Sequence, residues 1–209
     1  MEANQIKSNK VGLLNKSEIE DYLSSGEMII TPLLDNSQIG EISVDLRVGT
    51  DFLTSQLGRE PYMDATSNNE IGVPLKSFFS ETRRLIGEPF LIHPSQIVLF
   101  STLEYIKIPK DVMVELSTRS SYSRLGVTIS TIIQPGYCGC ISVEVNYNGN
   151  TPLKIICGSR MLQARFYRLQ NSSDYLSTER KYLCQVRPIA SKANEDEEIE
   201  LLKRFSRNL

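Results

Sequence analysis

The sequence predicts a mainly β protein: a distorted β-barrel or jelly-roll-like protomer with a short N-terminal helix and a C-terminal helix. Two observations carry this. Short runs alternate apolar and polar residues, and Gly, Pro and Asn stand between those runs. Only near the two ends do apolar residues recur at helical spacing instead.

The first element is the stretch NKSEIEDYLSSGE. Asn15 followed by Glu18 has the capping-box spacing, Ile19, Tyr22 and Leu23 form a short apolar stripe, and Gly26 suits the left-handed position after a helix. In ISVDLRVG, Ile42, Val44, Leu46 and Val48 share one strand face, while Ser43, Asp45 and Arg47 share the other. The same period recurs in QIVLFST, VMVELST, ISVEVNYN, LKIICG and MLQARFYRL, punctuated by Pro109, Pro135-Gly136, Asn148-Gly149 and Gly158. His93-Pro94 reads as the start of a strand, with the imidazole structural. The last segment, ANEDEEIELLKRFSRNL, places acids before bases and Ile199, Leu202 and Phe205 at helical spacing. It predicts a terminal helix packed on the body or on a neighbouring subunit. The chain reads as one domain over 1–209, with a core of about 11–186 and a helical extension over 187–209.

With 209 residues, 40% hydrophobic and 23% charged, the composition is that of an ordinary globular domain. A net charge of −2 gives no general attraction to nucleic acid or to an acidic membrane, so phosphate recognition would need a local cluster. No apolar run approaches a membrane span, and MEANQIKSNK lacks the apolar core of a secretory signal, so a cytoplasmic protein is expected. The cysteines at 138, 140, 157 and 184 form no Cys-x-x-Cys pair and are expected as reduced thiols. Cys138 and Cys140 would point the same way from a strand and so would not bridge each other.

Two places carry candidate chemistry. In TRSSYSRLG, Ser120 reads as the cap of a short helical turn that Gly126 ends. Backbone N–H groups at such a start, with an Arg beside them, make a seat for phosphate. The competing reading is a polar connection with Arg119 and Arg124 both solvated. In CISVEVNYN, Glu144 lies with Ser142 and Asn146 on the face opposite Ile141, Val143 and Val145. That face meets bulk water, or, if a symmetric oligomer buries it, the carboxylate needs a partner or a task.

These residues also carry a family likeness. Arg119-Ser120-Ser121-x-x-Arg124-Leu125-Gly126, followed by Pro135-Gly136-Tyr137-x-Gly139-x-Ile141-x-Val143-Glu144, resembles dCTP deaminases within the trimeric dUTPase superfamily. GEISVDLRVG upstream, and Pro152-Leu153, Gly158 to Gln163 and Lys181-Tyr182-x-x-Gln185 downstream, are similar to that family's other motifs. They occur in order from about residue 11 to 186. The resemblance implies a homotrimer with active sites between subunits, and deamination of dCTP to dUTP and ammonia without zinc, magnesium accompanying the triphosphate. It implies Glu144 as general acid/base, Ser120 and Arg124 at the reacting centre, and Arg119 and Ser121 on phosphate. Lys181 and Gln185 would come from a tail closing over the nucleotide, to which Tyr175 would also belong. The zinc-deaminase pattern is missing: His93 is the only histidine, and no Cys-x-x-Cys occurs.

The likeness breaks in two places. The segment VTISTIIQ is about three residues shorter than in relatives, and Ile129-Ser130 stands where a Thr-Ala pair usually reads the base. Gln134 occupies the position where the superfamily usually has Asp, which in dUTPases positions the attacking water. An amide cannot act as that base. The sequence therefore favours release of dUTP over a dUTPase or a dUMP-forming deaminase. The other class left open is a catalytically silent, nucleotide-binding regulatory homologue.

Overall fold

The computed structural model describes residues 11–56, 62–65, 73–173, 177, 180–182, 184–196 and 198–206. The capping box forms as its spacing predicts. Asn15 accepts from the Glu18 N–H at 3.1 Å, Glu18 accepts from the Asn15 N–H at 3.0 Å, and α1 runs Lys16–Ser24. It buries Ile19 and Tyr22, and Gly26 follows with φ 72°. Tyr22 is pinned at its far end, donating to Asp111 at 3.0 Å and accepting from Arg168 Nε at 3.0 Å.

The strands are β1 (Gly12–Leu13), β2 (Ile29–Thr31), β3 (Val44–Ser55), β4 (Phe79–Arg83), β5 (Pro89–Ile92), β6 (Val98–Lys107), β7 (Val112–Thr118), β8 (Val127–Thr128), β9 (Thr131–Ile133), β10 (Cys138–Tyr147), β11 (Leu153–Ile156) and β12 (Arg160–Arg168). A curled antiparallel sheet runs β8-β10-β6-β3-β12-β7-β9, with β1 on β12, β2 on β6 and β4 on β3. A separate antiparallel pair, β5 and β11, packs against it, and the Phe52 ring of β3 stacks on Phe90 of β5 at 3.8 Å. This mainly β, half-barrel architecture is the jelly-roll-like fold the alternation predicts.

The central strand β3 departs from simple alternation. Val44, Leu46 and Val48 are buried as expected, but Ile42 is exposed outside the strand and Arg47 on the opposite face is buried too. Glu104 of β6, fully buried, accepts from the Arg47 N–H at 2.8 Å and from its guanidinium at 3.0 Å. Burial raises the Glu104 carboxyl pKa, and these bonds oppose it. Gly49 permits the close approach of β3 and β6, since a Cβ there would lie 2.4 Å from the Ser101 carbonyl oxygen.

One local expectation is corrected, and another is met in part. His93-Pro94 follows β5 instead of opening a strand. The terminal helix forms as α3, Glu198–Ser206, but Leu202 and Phe205 are 61% and 72% exposed and do not pack on the body of the protomer. No helix among the described residues is long and apolar enough to cross a membrane.

Candidate active site

Two cavities receive most of the residues that the sequence singles out. The first is a polar cleft of about 630 Å³ between the start of β3, the end of β7, β12 and the turn α2 (Ser120–Ser123). Arg119, Ser120 and Arg124 line it, with Asp45, Gln163 and Arg165. Ser120 is not the cap: Arg119 occupies the N-cap position, extended at φ −63° and ψ 146°, with no side-chain capping bond. The Arg124 N–H donates to the Ser120 carbonyl at 3.1 Å, which closes the turn, and Gly126 ends it at φ 87°. Ser120 and Arg124 thus share a cleft wall, as their spacing predicts. Ser121 is exposed on the same turn but does not line the cleft.

Arg119 is the most constrained of these cations. Its N–H donates to the Met161 carbonyl at 2.9 Å, its guanidinium donates to the Arg160 carbonyl at 3.2 Å, and its Nε lies 3.3 Å from Asp45 Oδ2. Burial raises the Asp45 pKa, and the nearby Arg119, Arg160 and Arg47 charges oppose that rise. Sequence reading placed Asp45 on a polar strand face without assigning it a role. Its partner is 74 residues away, so local spacing carries no signal for the contact.

The second cavity, about 560 Å³, is mostly apolar and lies on the outer face of β10. Glu144 projects into its wall, placed there by strict alternation with the buried Val143 and Val145, opposite Leu99 of β6. Ser142, Gln134, Thr131 and Gln185 are among its other polar residues. Thr131 Oγ1 and the Gln185 amide nitrogen are buried without a hydrogen-bond partner among the described residues. Each is a buried polar atom left unsatisfied beside the cavity.

Gln185 arrives here because its carbonyl accepts the Cys140 N–H at 2.7 Å, laying the tail along β10. Gly139 makes room for it, with φ 142° and a hypothetical Cβ only 2.7 Å from the Gln185 oxygen. Lys181 does not line either cavity; it pairs with Asp196 at 2.5 Å and donates to the Lys192 carbonyl at 2.9 Å. Tyr175 lies outside the described residues.

The two cavities share no lining residue among those described. Within one protomer, Glu144 is exposed and faces a different cavity from the Ser120–Arg124 turn. The carboxylate and the serine–arginine turn are therefore not one site in a single copy of the chain.

A family model described as dCTP deaminase-like matches residues 13–169. The chain belongs to the dCTP deaminase-like family. Curated relatives cover nearly its whole length. A dUMP-forming dCTP deaminase from Methanobrevibacter smithii is 32% identical over 196 residues, spanning 90% of this chain and 99% of the relative. A dCTP deaminase from Halorubrum lacusprofundi is 35% identical over 193 residues, spanning 89% and 93%. The crystal structure of 2'-deoxycytidine 5'-triphosphate deaminase from Agrobacterium tumefaciens superposes with a TM-score of 0.57 at 20% identity. That match covers 76% of this chain and 48% of the other, and it supports the dCTP deaminase-like fold alone.

Proposed function

We propose that this protein deaminates dCTP hydrolytically to dUTP and ammonia, at sites assembled between copies of the chain. The observation that carries the reading is the division of labour between the two cavities of a dCTP deaminase-like chain. One holds a carboxylate in an apolar wall, the other a serine beside two arginines. The first suits a pyrimidine base and the second a triphosphate.

In this reading Glu144 takes a proton from water as the water's oxygen bonds to C4 of the cytosine. It delivers that proton to the ring nitrogen, then takes the remaining proton from the new C4 hydroxyl and passes it to the amine. The C4–N bond breaks, ammonia leaves and a carbonyl remains. A carboxylate works this way best once closure excludes water. Ser120 and Arg124 of a neighbouring copy hold the reacting centre, Arg119 and Ser121 contact phosphate, and Lys181, Gln185 and Tyr175 belong to the closing tail. Magnesium would neutralise triphosphate charge. Asp45, the carboxylate lining the arginine cleft, is already engaged by Arg119, so we assign the ion to the triphosphate oxygens and to no protein ligand. Zinc has no part in the proposed reaction.

Gln134 lines the Glu144 cavity and stands where the superfamily resemblance expects Asp. An amide cannot act as the base that activates water against the α-phosphate. This favours dUTP as the product. The dUMP-forming relative from Methanobrevibacter smithii motivates the second reading, a bifunctional enzyme. Incubation with dCTP and magnesium, followed by assay of ammonia and nucleotides, separates them. Ammonia with dUTP is expected, dUMP with pyrophosphate would reverse the product assignment, and no turnover would favour a silent regulatory homologue.

A further inference from the structure

Cys138 opens β10 directly after the Pro135-Gly136 turn and is half-buried, whereas Cys184 lies on the tail and is exposed. They are 46 residues apart in sequence, yet their Sγ atoms lie 2.9 Å from each other. Nonbonded heavy atoms ordinarily rest about 3.5–4.0 Å apart, and a disulfide bond is about 2.05 Å. Three further features fix this approach. Cys184 adopts φ 49°, a left-handed backbone uncommon outside glycine. The next residue, Gln185, is bonded through its carbonyl to Cys140 of β10. Gly139, between the two β10 cysteines, leaves the space into which the tail backbone fits.

We propose that Cys138 and Cys184 are a dithiol modification site that closes to an intrachain disulfide by exchange with a low-molecular-weight disulfide such as oxidised glutathione. The exposed Cys184 thiolate attacks one sulfur of the small disulfide and releases one small thiolate. Cys138, having lost its proton to solvent, then attacks Cys184 Sγ and releases the second. Two protein thiols are oxidised, one small disulfide is reduced to two thiols, and the two protons pass through solvent to the released thiolates. The bond would fasten the tail to β10 beside Gln185, in the wall of the cavity that holds Glu144. Cys157, which is buried, and Cys140 would stay as thiols.

The chemistry does not depend on the deamination reading, and neither does its test. The full-length protein is treated with oxidised glutathione in mildly alkaline buffer, because the hydrogen bond with Cys138 holds the Cys184 thiol above its usual range. The expected result is an intact mass lighter by two hydrogen atoms, half of the four thiols lost on titration, and one cross-linked peptide pair containing Cys138 and Cys184. Cys184→Ser, at an exposed position, should abolish the cross-link while the untreated protein keeps its far-ultraviolet circular dichroism. A glutathione adduct persisting on Cys184, a bond between two chains, or four thiols left intact would each overturn the proposal.

Discussion

At the scale of single residues, the contacts that matter most join groups far apart in sequence. Asp45 holds Arg119 at 3.3 Å and is itself only 14% exposed. Asp45→Asn should release the guanidinium and raise the dCTP Michaelis constant about tenfold, the equivalent of about 1.5 kcal/mol for a charge-assisted contact, with the turnover number nearly unchanged. Steady-state kinetics check this, and an unchanged Michaelis constant would remove Asp45 from the account. Glu104 allows a test by pH. Because burial raises its folded-state pKa, the native protein holds that proton more tightly than the unfolded chain does. Its stabilising contribution is therefore complete below the unfolded value of about 4.3 and falls as pH rises through the raised folded value. In melts compared across pH, the stability of the native protein relative to Glu104→Gln should decline over that window. A difference that stays flat would contradict it. Sequence reading marked Glu144, Ser120 and Arg124 because residue type and spacing are local. It missed Asp45, Thr131 and the Cys138–Cys184 approach because those depend on which strands and which tail become neighbours.

At the scale of elements, alternation identified the runs that become β6, β7, β10, β11 and β12, and the Asn15–Glu18 pattern located α1 to the residue. Alternation also marked the start of β3, but it could not see that Arg47 is buried on the supposedly polar face by a carboxylate on β6. Nor could it see that Arg119, not Ser120, would cap α2, since either residue can precede a turn. The tail is the element with most at stake. Tyr182, Gln185 and Ile189 form part of the Glu144 cavity, held by the Cys140–Gln185 backbone bond. Truncation after residue 174 removes all three while leaving the curled sheet intact. It should raise the dCTP Michaelis constant far more than it alters the assembly seen by light scattering. Loss of assembly with unchanged kinetics per site would make the tail a structural strap.

At the scale of the whole molecule, the described protomer has its candidate base in one cavity and its serine–arginine turn in another. The curled sheet explains why: β10 lies toward one end of the strand order, while β7, which leads into α2, lies toward the other. In the assembly we propose, the two edges of adjacent copies meet, and α3 presents Leu202 and Phe205 exposed. The most direct test of a site shared between copies is complementation. Glu144→Gln and Ser120→Ala are each expected to lose nearly all ammonia release from dCTP, by about 10²–10⁴-fold for the carboxylate. Co-expressed and purified as mixed assemblies, the two variants should recover a measurable part of the native rate, because some interfaces then pair an intact Glu144 with an intact Ser120. Mixed assemblies as inactive as either variant alone would contradict the account.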